Sequence, residues 1–280
     1  MDRTLLKMKT SIDTPTAPAA RRPLSVLVVG ATGSIGQLVV TQALQSGHAV
    51  RALVRDLHRA ALPAAAQRVL GDLTRADTLG RAVAGIDAVV FTHGSRSGGK
   101  AEAERVDYGA VRNVLKALDG RPARIALMTS IGVTDRRGAF NRGTEIHDWK
   151  RRGERLVRAS GLPYTIVRPG WFDRHAPDQH RLVMLQGDTR HAGDPSDGVV
   201  ARQQIAQVLV ASLTSDAARH KTFELVAERG AASADLDVLF ARLEADKPGA
   251  LDAIRDAPNM PLDEEPARVR VDLGRTVGAT

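Results

Sequence analysis

Short apolar runs alternate with longer segments of helical spacing from residue 24 onward. The first run, LSVLVVG (24–30), is almost uninterrupted by polar residues, which is typical of a strand buried on both faces of a parallel sheet. The next segment, SIGQLVVTQALQSG (34–47), repeats apolar residues at helical spacing and ends at a glycine, a frequent C-terminal cap. This alternation predicts an α/β fold with a doubly wound parallel sheet, helices on both faces and a small C-terminal lobe.

The same criteria extend along the chain and divide it into three parts. Further strands are predicted at 48–55, 67–73, 86–94, 123–130 and 162–170. Further helices are predicted at 75–85, 100–119, 145–160 and around 202–213. We expect a disordered N-terminal extension over 1–23, a main domain over 24–230, and a C-terminal helix with a Pro- and charge-rich tail over 231–280.

The amino-acid composition limits the chemistry that the protein can use and indicates where in the cell it is located. The 280 residues include no cysteine, which excludes disulfides, thiolate metal sites and cysteine nucleophiles. The sequence has no apolar run of about 18 residues, so we expect no membrane-spanning helix. A reducing cytoplasm fits both observations, and a cytoplasmic localisation is our expectation.

The chain is strongly basic, with a formal net charge of +8. Such a charge attracts nucleic acid, anionic membranes or phosphorylated small molecules. The densest basic stretch contains Arg136, Arg137, Arg142, Lys150, Arg151, Arg152, Arg155 and Arg158. Aromatic residues make up only 3% of the chain, so few side chains can stack on bases. We interpret the stretch as a solvated helix face, and we expect a small-molecule partner, no nucleic acid, no membrane, and a monomer or homodimer.

Three glycines mark the junction between the first strand and the first helix. In VVGATGSIGQLVV (28–40), Gly30 ends the strand, and Gly33 and Gly36 lie in the turn and the start of the helix. Small residues here let the backbone approach a pyrophosphate, whose charge is favoured by the N–H groups of the helix start. The spacing is Gly-x-x-Gly-x-x-Gly, and its place after the first strand predicts a dinucleotide cofactor. The predicted cradle consists of Gly30, Thr32, Gly33, Ser34, Ile35 and Gly36.

The end of the second strand bears on which dinucleotide binds. An acidic residue there accepts hydrogen bonds from the adenosine ribose and repels a 2′-phosphate, which favours NAD. The chain has Arg55 followed by Asp56, and the guanidinium of Arg55 can pair with a phosphate. We therefore predict NADP as the cofactor, with Arg55 on its 2′-phosphate. Asp56 keeps NAD as the less favoured alternative.

Five segments carry a resemblance to a known superfamily: GATGSIG, VRALVRD, GDLT, TSIG and SGLPYTIVRPG, in this order. With these segments the chain resembles the short-chain dehydrogenase/reductase superfamily. More narrowly, it is similar to the atypical NAD(P)H-binding group of NmrA-like and biliverdin/flavin-reductase-like proteins. The resemblance implies a Rossmann domain over 24–230, with a substrate-side segment over 171–200. It also implies NADPH-dependent transfer of hydride to a small carbonyl, quinone-like or conjugated substrate.

The resemblance implies which residues surround the cofactor. At the adenine end it implies Asp72 and Leu73. At the nicotinamide end it implies two groups of residues. Thr92, His93 and Gly94 lie at the end of the fourth strand. Arg168, Pro169 and Gly170 lie at the end of the sixth strand and close over the carboxamide. Ser130 lies where related enzymes place a catalytic serine or threonine, and Lys150 would hydrogen-bond the nicotinamide ribose.

The chain departs from the superfamily at the proton donor. The wider superfamily has a tyrosine four residues before the lysine, where it acts as a general acid, but here that position is Ile146. Three interpretations remain open: His147 or another nearby group donates the proton, the acceptor takes its proton from solvent, or the protein binds the cofactor without turnover. We favour an enzyme, with Ser130, Lys150 and His147 as candidate catalytic residues. The alternative is a non-catalytic NmrA-like redox sensor with a partner surface on helix 145–158.

Two other segments contain residues of the kinds found in metal sites and in phosphate-binding loops. The segment WFDRHAPDQH (171–180) contains two histidines and two aspartates, but it is irregular and the ligand set is loose, so we predict no metal site. Its Trp171 and Phe172 either form pocket walls or pack against the sheet edge. The segment HGSRSGGK (93–100) lacks the spacing of a P-loop, and we interpret it as a mobile loop that covers the cofactor.

Overall fold

The computed structural model describes residues 22–58, 61–95 and 99–277. Nearly all of the predicted 1–23 extension and the middle of the 93–100 loop lie outside the described residues. Within these ranges the chain forms one ten-stranded sheet with helices packed on both faces. The doubly wound architecture predicted from the alternation of strands and helices is confirmed.

The strand order of the sheet reverses near its centre, which creates a topological switch point there. Its strands are β1 Ser25–Val29, β2 Ala49–Val54, β3 Gln67–Leu70, β4 Ala88–Phe91, β5 Arg124–Met128, β6 Tyr164–Pro169, β7 Trp171–Phe172, β8 Arg181–Leu185, β9 Val199–Val200 and β10 Lys221–Glu228. Their spatial order is β3-β2-β1-β4-β5-β6-β10-β9-β7, with β8 paired to β10. Pairing is parallel from β3 to β10, whereas β8 and β9 run antiparallel to β10. The order reverses between β1 and β4, and open α/β sheets bind ligands at the carboxyl ends of such neighbours.

The helices broadly follow the predicted positions. They are α1 Ser34–Gln45, α2 Gly80–Val83, α3 Gly99–Ala103, α4 Gly109–Leu118, α5 Ala139–Thr144, α6 Ile146–Ala159, α7 Arg202–Ser212, α8 Leu236–Ala241 and α9 Ala267–Val277. A π-helical turn over Glu104–Tyr108 joins α3 to α4, so the predicted 100–119 helix is continuous but widened. The predicted 75–85 helix is interrupted, because the hydroxyl of Thr78 donates to backbone carbonyls and draws the chain into a short 3-10 turn before α2.

The two faces of the sheet carry separate apolar cores, and β1 contributes to both. Val26 and Val28 share a core with α1 and α7, whereas Leu27 and Val29 share the opposite core with α4 and α6. All four side chains are fully buried, as expected for a central strand whose residues alternate between faces. Burying each such side chain contributes about 1.5–3 kcal/mol, so this strand ties both helical layers to the sheet.

Helix α6 corrects the interpretation of its basic stretch as a solvated face. The side chains of Arg151, Arg155 and Arg158 are at most 2% exposed. Asp252 lies 3.0 Å from Arg151 and 2.6 Å from Arg155. Asp246 lies 3.2 Å from Arg158. The helix can bury its arginines because carboxylates 88 to 101 residues later in the chain neutralise them.

The C-terminal segment also differs from the single helix and charged tail predicted for 231–280. Its described part contains two helices, α8 and α9, joined by an irregular stretch. Phe240 of α8 packs in the core beside Phe223, and Val269 of α9 is buried in the opposite core. Acidic residues of the predicted charge-rich tail, among them Asp246 and Asp252, are the partners of α6, a pairing that local composition does not reveal.

Candidate functional site

The candidate site begins where β1 and β4 end side by side. A Cβ on Gly30 would lie 2.7 Å from the backbone nitrogen of His93, so the two strand ends are in contact. Gly30 also has a φ of +84°, which favours glycine. The hydroxyl of Thr92 donates to the carbonyl of Val29 at 3.0 Å and braces the same junction. The predicted residues Gly30, Thr92 and His93 therefore lie together at the switch point.

Gly36 and Gly33 lack side chains for different physical reasons. A Cβ on Gly36 would lie 2.1 Å from the carbonyl oxygen of Gly30 and 2.9 Å from Thr92 Oγ1, so α1 can approach the turn only with glycine here. A Cβ on Gly33 would contact a single atom within 4 Å, the carbonyl oxygen of Gly30 at 3.2 Å. Gly36 thus serves packing, whereas Gly33 leaves space on the outer side of the turn for a ligand to approach the backbone.

The first turn of α1 presents backbone donors beside that space. Gly33 is the N-cap, and the first turn has neither a side-chain cap nor an acidic residue. The first three N–H groups, those of Ser34, Ile35 and Gly36, have no intrahelical acceptor. Thr32 is exposed next to them. Such N–H groups, together with the positive end of the helix dipole, favour a bound phosphate, which the predicted cradle residues would surround.

The ends of β2 and β3 form the other side of this site. Arg55 is exposed at the end of β2. The carboxylate of Asp72 accepts hydrogen bonds from the N–H and hydroxyl of Thr74 at 2.9 and 2.8 Å. These bonds, and more weakly the charge of Arg55, hold the pKa of Asp72 below its ordinary value. The carbonyl of Leu73 accepts from Asn113 Nδ2 at 2.7 Å, which ties this turn to α4.

Lys150 belongs to a charged group near the carboxyl end of β4. Its Nζ lies 2.7 Å from Asp107 Oδ1, and the Asp107 side chain is 1% exposed. Asp107 also accepts from the hydroxyl and the N–H of Ser95. A Cβ on Gly94 would lie 3.4 Å from Lys150 Nζ. Asp107 therefore links the end of β4 to α6, and it does so from the π-helical turn, a common feature of functional sites.

His93 is buried beside this ion pair. Its side chain is 9% exposed, and no residue of the described ranges is hydrogen-bonded to its Nδ1. Burial lowers the pKa of His93 to about 4, with Asp107 opposing and Lys150 reinforcing the shift. The imidazole is therefore neutral at neutral pH. A buried polar atom without a partner is costly, and in native proteins it calls for a bound ligand, ion or water.

Two more buried polar atoms of this kind lie at the loop that follows β5. In the part of the chain that the structure describes, neither Ser130 Oγ nor His147 Nδ1 has a hydrogen-bond partner. His147 meets the loop at Gly132, where a Cβ would lie 3.3 Å from His147 Cε1. Its ring also lies 5.1 Å from that of Phe140, measured between centroids. Because His147 and Lys150 are three residues apart on α6, they share one face of the helix.

Arg168 does not have the role that the resemblance implied. Its side chain is fully buried, and its guanidinium lies 2.7 Å from Glu154 and 2.7 Å from Asp256. Glu224 lies 3.3 Å away on a third side. A guanidinium held by three carboxylates cannot turn toward a cofactor. The prediction that Arg168 closes over the carboxamide is therefore wrong for its side chain, which instead joins β6 to α6 and the C-terminal segment.

Pro169 and Gly170 remain at the edge of the site through their backbone. The carbonyl of Pro169 accepts from the N–H of Ile131 at 3.0 Å, next to the loop after β5. A Cβ on Gly170 would lie 2.4 Å from the carbonyl oxygen of Gly198, so this glycine is required for close packing. The aromatic pair of β7 follows directly, and each ring is 41% exposed.

Both tyrosines of the chain are structural. The hydroxyl of Tyr108 donates to Asp272 at 2.8 Å, and that of Tyr164 donates to Asp246 at 3.0 Å. Burial and these neighbouring carboxylates raise the pKa of both phenols well above the usual range. Ile146, which replaces the superfamily tyrosine, is 6% exposed. Within the described ranges, neither tyrosine is placed to donate a proton at the candidate site.

The segment that suggested a metal site is held by other contacts. Asp173 forms an ion pair with Arg202, and Asp178 lies 3.3 Å from Arg229. Among residues 22–58, 61–95 and 99–277, no group of three or more His, Cys, Asp or Glu side chains is arranged to hold a metal ion. No helix in the same ranges is long and apolar enough to cross a bilayer.

Sequence reasoning missed three carboxylates that organise the site. Asp107 holds Lys150, and Glu154 holds Thr129 Oγ1 at 2.7 Å. Asp188 binds the loop after β5. The one available signal was Asp107, an acidic residue on a helix whose neighbours Val106 and Ala110 belong to an apolar stripe. The other two gain their roles from partners distant in sequence.

Relatives of the chain include proteins of different length. It is 27% identical to the chloroplastic protein TIC 62 of Pisum sativum, over 80% of this chain and 46% of that protein. The chain therefore spans about half the length of that relative. It is 26% identical to sanguinarine reductase of Eschscholzia californica, over 79% of this chain and 97% of that protein.

The chain is also similar to solved structures and matches a family model. The oxidoreductase ylbE from Lactococcus lactis shares the fold, with a TM-score of 0.65 and 16% identity over 80% of this chain and 100% of that one. A short-chain dehydrogenase/reductase from Veillonella parvula, in complex with NADP, matches with a TM-score of 0.57 and 16% identity over 72% of this chain and 94% of that one. The model of a family described as NAD(P)H-binding matches residues 30–216. The chain therefore belongs to the NAD(P)H-binding family.

Proposed function

We propose that the protein is an NADPH-dependent oxidoreductase that reduces a small conjugated, quinone-like or carbonyl acceptor. One observation carries the proposal. Three buried polar atoms that lack partners in the described residues lie near the carboxyl edge around Lys150, namely His93 Nδ1, Ser130 Oγ and His147 Nδ1. A bound cofactor and acceptor would supply the partners that these atoms lack.

The residues of the glycine turn fit a pyrophosphate. Gly33 leaves room for it, and the N–H groups of Ser34, Ile35 and Gly36 would donate to its oxygens. Lys150, held by Asp107, would donate to the ribose at the nicotinamide end. The two contacts lie on either side of the β1–β4 junction, so one extended dinucleotide can reach both.

The bound cofactor supplies a hydride, and the chain supplies orientation and a proton. We assign the proton to His147, because it shares a helix face with Lys150 and its Nδ1 is buried without a partner in the described ranges. Burial lowers the pKa of His147, and Asp188 opposes that shift. Since only the protonated imidazole donates, turnover should rise as the pH falls below neutral, and His147→Gln should remove that rise.

Exposed aromatic rings support a planar acceptor. Phe140, whose ring contacts His147, is 55% exposed, and Trp171 and Phe172 are each 41% exposed. Rings of this size stack on flat conjugated molecules and gain apolar burial when they do. The reductase among the relatives supports the same reaction class.

We propose NADP as the preferred cofactor. The Arg55 side chain is exposed at the end of β2, where a 2′-phosphate is recognised in this fold. The carboxylate of Asp56 accepts from the N–H of His58 at 2.8 Å, which orients it toward its own turn. The Veillonella parvula structure of the same fold holds NADP, and this supports the assignment.

The competing function is a non-catalytic NADP-binding sensor, and Ile146 in place of a tyrosine is the observation that favours it. A sensor needs a surface that its partner can reach. The surface expected on helix 145–158 is covered, because Arg151 and Arg155 bind Asp252 of the C-terminal segment. This burial favours the enzyme.

The first experiment is titration of NADPH and NADH onto the purified full chain, followed by absorbance at the reduced-nicotinamide band with quinones, flavins and ketones. Acceptor-dependent oxidation of NADPH would support the reductase. Tight binding with no oxidation across the panel would favour the sensor.

Substitutions at the candidate catalytic residues test whether the activity depends on them. Lys150→Met and Ser130→Ala should each lower kcat about a hundredfold, because they remove groups that hold or orient the reactants. Lys116→Met, at an exposed lysine of α4, is the matched control and should retain full activity. Full activity in both site variants would show that the site is assigned to the wrong residues.

A further inference from the structure

Asp188 is a buried carboxylate beside the loop that follows β5. It is 1% exposed and has a φ of +45°, a conformation that is unfavourable for residues with a side chain. Its Oδ1 accepts from the N–H of Gly132 at 2.6 Å, and its Oδ2 accepts from the N–H of Thr134 at 2.7 Å. The hydroxyl of Thr134 donates in return to the Asp188 carbonyl at 3.2 Å. Asp188 therefore clamps the loop that begins with Ser130.

The glycine that the clamp holds also contacts His147. The N–H of Gly132 donates to Asp188, and a Cβ on Gly132 would lie 3.3 Å from His147 Cε1. Gly132 thus contacts both the carboxylate and the imidazole. Asn259 Nδ2 donates to the carbonyl of Thr134 at 3.0 Å and holds the far end of the loop. The position of Asp188 sets how closely the loop approaches His147.

The charge of Asp188 reaches His147 as well. Burial lowers the pKa of His147, and Asp188 is the largest influence that opposes this shift. Lys150 lowers the same pKa further, whereas Asp135 and Asp148 raise it. Of the three carboxylates that favour the protonated imidazole, Asp188 therefore has the largest effect.

Other titratable groups also face Asp188. In any pH experiment their titration must be distinguished from that of His147. His191 Nε2 lies 3.7 Å from Asp188 Oδ2, and Glu224 accepts from the Asp188 N–H at 3.1 Å. Burial raises the pKa of Glu224 to about 7, with Arg168 opposing and Asp188 reinforcing the shift. A pH profile of turnover alone would mix Glu224 with His147, so the imidazole itself has to be observed.

We propose that Asp188 is the positioning residue of this site: it holds the Ser130 loop against His147 and favours the protonated imidazole. The inference rests on the proposed function, because it gives Asp188 a part in proton donation by His147. Asp188 acts through Gly132 and Thr134, and the groups that face the acceptor are those of the loop and the imidazole.

The chain contains a matched control for this residue. Asp197 is 4% exposed, and its carboxylate accepts from the N–H groups of Ala192 and Gly193 at 2.7 and 2.8 Å. It is therefore the same kind of backbone clamp, but on a different segment. Asp188→Asn and Asp197→Asn remove the same charge and replace one acceptor oxygen in the same way.

The decisive measurement is an NMR titration of the His147 imidazole in the full chain, with His147→Gln to assign the signal. Asp188→Asn should lower the proton affinity of His147 about tenfold, the size expected for loss of one nearby opposite charge. Asp197→Asn should leave it unchanged. A His147 titration that is the same in Asp188→Asn as in the wild type would overturn the proposal.

Steady-state kinetics provide a second measurement. Asp188→Asn should lower kcat about tenfold while KM for NADPH stays within about twofold, because the cofactor contacts are intact. Equal losses of kcat in Asp197→Asn would overturn the assignment. If the wild type oxidises no NADPH with any acceptor, the proposed function fails, but the imidazole titration still decides whether Asp188 controls His147.

Gly132→Ala tests the same contact if Asp188→Asn does not fold. The added methyl group must displace the imidazole by a few tenths of an ångström, and the φ of +83° adds strain. We expect a shifted His147 signal and a lower kcat, with NADPH still bound. An unshifted signal with full activity would contradict the proposal.

Discussion

The glycine turn between β1 and α1 and the arginine-rich helix α6 both concentrate groups that favour anions, but only one keeps them for a ligand. In the turn, the N–H groups of Ser34 and Ile35 have no intrahelical acceptor, and Gly33 beside them leaves space for a ligand. In α6, Arg151 and Arg155 are buried against Asp252. The same kind of charge serves recognition in the first region and folding in the second.

The difference teaches that a charge pattern identifies a binding surface only once the rest of the chain is in place. The glycine turn is defined locally, by a strand end, a turn and a helix start within about one βα unit. The carboxylates that pair with Arg151, Arg155 and Arg158 lie 88 to 101 residues further along the chain. Substitutions at three positions can break or sharpen this contrast.

The largest effect is expected for Asp252→Ala, which leaves Arg151 and Arg155 buried without their shared carboxylate. The free energy of unfolding should fall by about 3–5 kcal/mol, measured by urea denaturation. The control is Glu228→Ala, which breaks the exposed pair with Arg181 and should cost at most about 1 kcal/mol. Similar small losses for both variants would show that the α6 pairs behave like ordinary surface pairs.

The pH dependence of stability tests the same pairs. Burial opposes ionisation of Asp252, but the hydrogen bond from Arg155 and the charge of Arg151 outweigh it and lower its pKa. A lowered pKa in the folded state means that this stabilisation is present above the ordinary carboxyl pKa and is lost as the pH falls through the lowered value. Asp252→Asn should therefore reduce the loss of stability in acid.

Gly36→Ala is expected to have an intermediate effect. The new methyl group would lie 2.1 Å from the Gly30 carbonyl oxygen, a backbone atom that cannot move aside cheaply. Unfolding free energy should fall by about 1–3 kcal/mol, and NADPH binding should weaken, as measured by thermal denaturation and titration. Gly80→Ala, at a helical glycine with nothing within 4 Å of its Cβ position, should be neutral or slightly stabilising. A neutral Gly36→Ala would contradict the close approach of α1 to β1.

The smallest effect is expected for Arg55→Ala, which removes one exposed charge. NADPH affinity should fall about tenfold, or about 1.4 kcal/mol, while NADH affinity changes little. Arg219→Ala, at an exposed arginine before β10, should change neither. Equal losses for NADPH and NADH would rule out the 2′-phosphate contact.

The fold was predictable because its signals are local. The βα alternation predicted the strands and helices of the central sheet, since each element carries its own apolar period. The prediction of a solvated α6 was wrong because a helix with many charges has no local sign of whether those charges are paired. The second C-terminal helix was missed for the same reason, since its charged residues face partners on the π-helical turn and on α4.

The parts of the site that lie at strand ends could be predicted from the sequence, whereas the parts held by distant side chains could not. Gly30, Thr92 and Ser130 each lie at or near the end of a predicted strand, so their place at one edge follows from parallel topology. Arg168 also belongs to a strand end, but three carboxylates from other elements turn its side chain inward. Asp188 has no motif, because its role depends on two backbone N–H groups more than 50 residues earlier.

The placement of the counter-charges of α6 also bears on how the chain matures. During synthesis, the ribosome releases Arg151, Arg155 and Arg158 well before Asp246 and Asp252. Until those carboxylates emerge, the nascent helix cannot bury its guanidinium groups without a large desolvation cost. Strands β1 to β6 can pair earlier, but the final docking of α6 has to wait until Asp246 and Asp252 have left the exit tunnel.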